Sequence, residues 1–265
     1  MIQPELSTLN VGTGNQARSI SALTRKATKA GADLPGFVWL GGYRSDMTGS
    51  KAEALCQLAG RQGRASLRFD YSGHGASGGS FRDGTISRWL EESLAAFDHY
   101  TSGPQILAGS SMGGWIALRM VQELRARGEG DRVAGLLLIA PAPDFTLELM
   151  EPELTMAQRQ ALEHDGFYEE PTPYGPDPNV FTRALLEDGR NNRVLEGLIE
   201  TCAPVHIIQG MADPDVPWRH ALRLIEHLPS ENVTLTLIRD GDHRLSRDED
   251  IARILAAADG LAAPA

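Results

Sequence analysis

The chain has 265 residues, 42% of them apolar and 23% charged, a composition that excludes a disordered or fibrous protein and leaves room for one α/β domain with a sizeable insertion. Its net charge of −10, from 25 basic and 35 acidic residues, argues against nucleic acid as a partner, because binding phosphates needs a basic surface. No apolar run approaches the roughly 18 residues of a membrane span, and residues 1–5 lack the basic start and apolar core of a signal peptide.

Residues 1–35 are polar, with strand signals near 6–11 and 18–23. The apolar run Gly36-Phe-Val-Trp-Leu-Gly41 predicts a buried strand. A helix is expected over 45–62, where Ala52, Leu55, Cys56, Leu58 and Ala59 make one apolar face. A strand over 65–69 leads to Asp70 and a glycine-rich loop, 71–79, and a helix follows over 86–100. Next come a strand over 105–108, a helix over 112–127 and the continuous apolar strand 133–140, which should be buried on both faces. Strands over 205–209 and 232–238, a helix over 220–227 and a last helix over 248–260 complete the alternation. Repeated strand–helix alternation predicts a parallel sheet covered by helices on both faces.

Residues 142–202 break this rhythm. They carry six prolines together with Phe145, Met150, Met156, Phe167, Tyr168, Tyr174 and Phe181. A segment of this length far exceeds a usual loop of about 4–6 residues. It reads as a lid inserted into a core formed by 1–141 and 203–265. Residues 144–170 hold eight acids and Arg159 alone, a charge that would disfavour polyanionic substrates if that surface frames an entrance. Cys56 and Cys202 lack metal-ligand spacing and read as two buried free thiols in a reducing compartment.

The pattern G-x-S-x-G occurs twice. Gly75-Ala-Ser77-Gly-Gly79 lies in the glycine loop with no helix directly behind it. Gly109-Ser-Ser111-Met-Gly113 stands between a predicted strand and a predicted helix, the context a nucleophile elbow requires. Small residues two before and two after Ser111 allow a sharp turn that lifts its hydroxyl out of the sheet. Serine at that place also suits a helix N-cap.

A serine nucleophile needs a base. Of the seven histidines, His243 follows the strand ending at Ile238, on the sheet edge where α/β proteins put their sites. His206 falls inside a strand, His220 and His227 on a helix, His99 and His164 away from strand ends, and His74 in the glycine loop as a weaker lining candidate. The base needs an acid. In Gly210-Met-Ala-Asp213-Pro-Asp215-Val-Pro217 either aspartate could serve; the spacing G-x-x-D-x-x-V-P selects Asp213, and Asp215 reads as a cap of the next helix. The order Ser111…Asp213…His243 is that of α/β-hydrolases. Acyl transfer also needs oxyanion donors, assigned to the backbone N–H groups of Met112 and of Tyr43 in Leu40-Gly-Gly-Tyr43-Arg44.

The elbow Gly109-Ser-Ser-Met-Gly-Gly-Trp115 resembles the α/β-hydrolase superfamily. Within it, the chain resembles the group of the mitochondrial palmitoyl-protein thioesterase, also known as mycophenolic acid acyl-glucuronide esterase, and its bacterial relatives. The further likenesses are Gly42-Tyr-Arg-Ser-Asp-Met47 with Lys51-Ala52, Arg68-Phe-Asp-Tyr-Ser-Gly73, Gly210 through Trp218, and Asp242-His-Arg-Leu245. The resemblance implies a mostly parallel, twisted sheet and a serine esterase or thioesterase without a cofactor. Its small-molecule acyl substrate would meet a triad falling on Ser111, Asp213 and His243. The lid departs most from the group, so acyl preference does not carry over. The start of the chain shows no transit peptide, which points to a bacterial, cytoplasmic relative. An amidase or peptidase on the same fold, or a non-catalytic binder of a small ligand, remains the alternative at this stage.

Overall fold

The computed structural model describes residues 3–173 and 175–261; Tyr174, one of the aromatics of the expected lid, lies outside them, as do residues 1–2 and 262–265. In chain order the elements are β1 (Glu5–Val11), β2 (Arg18–Arg25), β3 (Gly36–Leu40), α1 (Ser50–Gln62), β4 (Ser66–Phe69), α2 (Ile86–Tyr100), β5 (Gln105–Ser110), α3 (Met112–Ala126) and β6 (Val133–Ile139). They continue with α4 (Met156–His164), β7 (Phe167–Glu170), β8 (Asn179–Thr182), α5 (Arg183–Asn191), β9 (Val205–Gly210), α6 (Trp218–Glu226), β10 (Val233–Ile238) and α7 (Asp248–Leu261).

Eight strands form one sheet in the order β1-β2-β4-β3-β5-β6-β9-β10. β1, β2 and β4 pair antiparallel, and every pair from β4 through β3 to β10 is parallel. The chain leaves β3 for β4 on one side and returns from β4 to β5 on the other. The C-terminal ends of β3 and β5 therefore flank the point where connections diverge, the place where open α/β sheets hold their ligands.

Two apolar cores cover the two sheet faces. On one, Phe37, Trp39, Ile106 and Ala108 pack with Leu55 and Leu58 of α1 and Ile254 and Ala258 of α7. On the other, Val38, Leu40 and Leu107 pack with Trp89 of α2 and Trp115, Met120 and Leu124 of α3. β6 divides alternately, Leu136 and Leu138 into one core and Leu137 and Ile139 into the other. Side chains alternate across a strand, which is why a run without polar residues marks a strand covered on both faces. Among the described residues no helix is long and apolar enough to cross a membrane.

Three expectations change. The helix expected from Ser45 starts at Ser50, because Ser45–Gly49 is spent on turns: Thr48 N–H donates to Asp46 Oδ1 at 2.7 Å, and Met47 N–H goes to Asp70 Oδ1 at 2.6 Å. Asp215 does not cap α6, whose N-cap is Pro217; its N–H instead donates to Asp213 Oδ1 at 2.9 Å. Both cysteines are free and Cys56 is buried, but Cys202 is exposed, on a turn leading to β9 where its own φ is +51°.

The 142–202 segment folds into a helical turn over Thr146–Met150, α4, the antiparallel hairpin β7–β8 and α5. Its root is tied to the core by buried polar contacts. Asp144, fully buried, accepts the N–H groups of Val194 (2.9 Å) and Leu195 (2.8 Å). Trp115 Nε1–H donates to Asn192 O at 2.9 Å, and His220 Nε2 meets Pro143 O at 2.8 Å. The acids of 144–170 do not stand as a bare field. Glu148 pairs with Arg223, Glu151 with Arg190 at 2.9 Å and Glu169 with Arg82 at 3.0 Å, while Asp144 is turned inward. Of the apolar residues, Tyr168 and Phe181 are buried, but Met156 is 77% exposed.

Removing the Asp144 carboxylate leaves two buried N–H groups without an acceptor. Asp144→Ala is expected to cost about 2–4 kcal/mol in urea unfolding, and Asp144→Asn, which keeps one acceptor oxygen, less than half as much. Equal, negligible losses would show that the root is held elsewhere.

Candidate active site

Ser111 stands between β5 and α3 with φ +54° and ψ −119°. A side chain rarely adopts such a backbone, at a cost of about 1–3 kcal/mol, so the surroundings must enforce it. Ser111 N–H donates to Ile139 O at 2.9 Å, and Ser111 O accepts from Gly114 N–H (2.9 Å) and Ala142 N–H (3.1 Å). The flanking glycines are required by close packing. A Cβ on Gly109 would stand 2.3 Å from Gly113 O, and one on Gly113 would stand 2.1 Å from Leu40 O. The end of β3 thus presses directly against the start of α3, with Ser111 raised above both.

His243 follows β10 and Asp213 follows β9. These are neighbouring strands, and Ala212 N–H donates to Gly241 O at 3.0 Å, binding the two loops together. His243 Nδ1 lies 2.8 Å from Asp213 Oδ2, and His243 Nε2 lies 3.1 Å from Ser111 Oγ. A carboxylate only accepts, so Nδ1 carries the proton and the neutral ring offers Nε2 as acceptor to the serine hydroxyl. The Asp213 side chain is fully buried, and four donors surround it: Asp215 N–H and Val216 N–H on Oδ1 (2.9 Å each), and Gln209 Nε2 (3.1 Å) and His243 on Oδ2. Ligand-type atoms of Asp213, Asp215 and His243 lie within 4.8 Å of one another. Both ring nitrogens and both Asp213 oxygens are already engaged, so a cation would have to displace this network to bind there.

The loop after β3 lies over the elbow. A Cβ on Gly42 would meet Ser111 Cβ at 3.3 Å, so Gly42 of this loop stands close to the serine. Ser45 N–H closes a turn on Gly42 O at 3.1 Å, and Arg44, third in that turn, has φ +56°. The half-buried Tyr43 ring packs among Phe81 (4.9 Å), Trp89 (5.9 Å) and Phe145 (6.2 Å), and it stacks on Phe181 of β8 at 5.3 Å. Its hydroxyl donates to Val180 O, and burial pushes its pKa up, which keeps it a donor. Arg44 Nη1 donates to Pro178 O at 2.7 Å. Backbone and side chain of one short turn therefore join the serine to the inserted hairpin. Met112, at the N-terminus of α3, is fully buried and follows the serine directly.

The structure thus brings Ser111, His243, Asp213, Tyr43 and Met112 together. His206 is on a sheet face, its Nε2 2.9 Å from Thr236 Oγ1, and His220 is buried at the root of the insertion. His99 and His164 lie on α2 and α4, away from these residues. Gln209 belongs to no motif, yet it braces Asp213; its only signal is a polar residue in the apolar strand just before the acid. Lys51 of α1 donates to Arg244 O in the loop after His243, and burial pushes its pKa down to about 8.

A family model described as alpha/beta hydrolase family matches residues 31–258. The chain belongs to this family. The mouse protein named palmitoyl-protein thioesterase ABHD10, mitochondrial, is 32% identical over 228 residues, spanning 86% of this chain and 75% of that one. The human protein of the same name is 30% identical over 228 residues, covering 86% and 72%. Among solved structures, a putative hydrolase from Agrobacterium vitis is 58% identical with a TM-score of 0.95, over 98% of this chain and 99% of the other. Alpha/beta hydrolase domain-containing protein 10 from mouse superposes with a TM-score of 0.82 at 30% identity, over 97% and 98%. The alpha/beta hydrolase fold of the chain, with its eight-stranded, mostly parallel sheet, agrees with that of the mouse protein.

In this alpha/beta hydrolase the elbow tolerates no methyl group at position 113. Gly113→Ala is expected to lower stability by about 3 kcal/mol or more, because the nearest atoms are backbone of β3 and its following loop that cannot rotate away. A thermal melt within about 2 °C of the wild type would overturn that account.

Proposed function

We propose that the protein is a serine hydrolase that cleaves acyl esters or thioesters through Ser111, His243 and Asp213, with an acyl-enzyme intermediate. Its relatives named palmitoyl-protein thioesterase make it an ester or thioester hydrolase by kinship. The observation that carries the mechanism is the unbroken chain from Ser111 Oγ to His243 at 3.1 Å and from His243 to buried Asp213 at 2.8 Å.

The reaction runs in two halves. His243 Nε2 takes the Ser111 proton as Oγ attacks the acyl carbonyl carbon. The carbonyl oxygen becomes an oxyanion, held by the N–H groups of Tyr43 and Met112. Collapse breaks the bond to the leaving oxygen or sulfur, which His243 protonates. Water, giving its proton to His243, then attacks the acyl-serine; the acid leaves and Ser111 regains its proton. Asp213, fixed by Gln209 and two backbone donors, holds the ring tautomer throughout and stabilises the imidazolium. Residues 142–202 form the lid over this site, and the bonds of Tyr43 and Arg44 to Val180 and Pro178 join it to the oxyanion turn.

The test is hydrolysis of p-nitrophenyl esters and acyl thioesters from acetyl to palmitoyl, with Ser111→Ala and Asp213→Asn beside the wild type. Ser111→Ala is expected to lower kcat by about 10⁴-fold or more, and Asp213→Asn by about 10³–10⁴-fold. Turnover that survives Ser111→Ala would overturn the reading. So would a folded wild type that cleaves neither series.

A further inference from the structure

The glycine-rich loop of residues 71–79, with its second G-x-S-x-G, takes no part in the reaction above. Its side chains nonetheless grip the turn that carries Tyr43. His74 is 4% exposed and packed against Tyr71 (5.5 Å between ring centres), Phe81 (5.0 Å) and Trp89 (5.3 Å). Its Nδ1 lies 3.2 Å from Ser72 O and its Nε2 lies 3.2 Å from Arg44 N. A carbonyl oxygen only accepts, so Nδ1 bears the hydrogen. Nε2 then presents a lone pair to the Arg44 N–H. Burial, the largest influence, pushes the pKa of His74 down to about 4, so the ring stays neutral and the lone pair stays available near neutral pH. Asp70 is a second brace: Oδ1 accepts Met47 N–H at 2.6 Å and Oδ2 accepts Ala76 N–H at 2.8 Å.

We propose that His74 is a positioning residue for the oxyanion site: by accepting the Arg44 N–H it locks the Gly42–Ser45 turn so that Tyr43 N–H is held ready beside Ser111. The inference rests on Tyr43 being an oxyanion donor. Its physical basis is that Arg44, at φ +56°, occupies a turn position that favours glycine, and nothing in an arginine side chain favours that backbone. A hydrogen bond at the strained residue itself is the most direct restraint available. The turn stands close to Ser111 at Gly42, so a displacement of a few tenths of an ångström moves the donor relative to the place where the oxyanion forms.

His74→Leu removes the acceptor, while His74→Gln can return one at nearly the Nε2 position. On a ester that the wild type hydrolyses, His74→Leu is expected to lower kcat and kcat/KM together by about 10–50-fold with KM within about twofold, since the interaction is made only in the transition state. The affinity for an alkyl boronic acid, which forms a tetrahedral adduct on the serine, should fall by a similar factor. His74→Gln should restore most of both. A purely structural role predicts instead that boronate affinity is unchanged, or that Gln is no better than Leu; either result overturns the proposal. If His74→Leu does not fold, His74→Asn, polar but too short to reach the Arg44 N–H, replaces it in the comparison. Ser111→Ala, assayed in parallel, separates the two levels. Turnover surviving it overturns the serine mechanism, whereas Ser111-dependent turnover that is unaffected in His74→Leu overturns only the role of His74.

Discussion

Everything in the site depends on a backbone contact: the first turn of α3 lies so close to the end of β3 that only hydrogen fits at position 113. That contact forces the chain leaving β5 into a sharp reversal and sets Ser111 at φ +54°. The strain is held by Ile139, Gly114 and Ala142 through backbone hydrogen bonds. It brings the loop after β3 against the serine, so the proposed nucleophile and the proposed oxyanion donors come from two adjacent parallel strands. The diverging connections on either side of β3 leave that edge open for them.

The second pair of strands carries His243, the proposed base, and Asp213. β9 and β10 are parallel and in register, so the loops following them end side by side. Asp213 is buried, and burying a carboxylate is tolerable only when hydrogen bonds replace its water. Gln209 and the backbone of residues 215 and 216 do so, and His243 completes the set. The same donors that make burial possible also fix the carboxylate in one orientation, and hence the ring.

The insertion meets the core at more than its root. Its root packs on Trp115 and His220, and its hairpin meets the Tyr43 side chain, while the preceding Gly42 stands close to Ser111. Below that turn, His74 of the glycine loop holds Arg44, and Asp70 at the end of β4 holds Met47 just beyond it. The turn is thus clamped between core and insertion, and a change in either is felt beside Ser111.

The order of the core elements, the two-sided burial of β6 and the position of the elbow were legible in the sequence, because each depends on near neighbours; the helices and hairpin within 142–202 were not. Alternation of strand and helix needs only local pattern, and the glycines that permit the turn lie within two residues of Ser111. The spacing after β9 likewise singled out Asp213. Long-range contacts decided the rest. His243 meets Ser111 across 132 positions, and Arg44 N–H meets His74 across 30, distances over which no periodicity extends. The late start of α1 follows from Asp70 drawing the Met47 N–H away from a helix, and Asp215 serves the acid rather than the next helix because Pro217 already stands at its start. Cys202 is exposed by a turn that its composition does not announce, and the arginines that offset the acids of the insertion come from α2's approach, α5 and α6. Local sequence determined which residues could act; only packing between distant segments decided which of them meet.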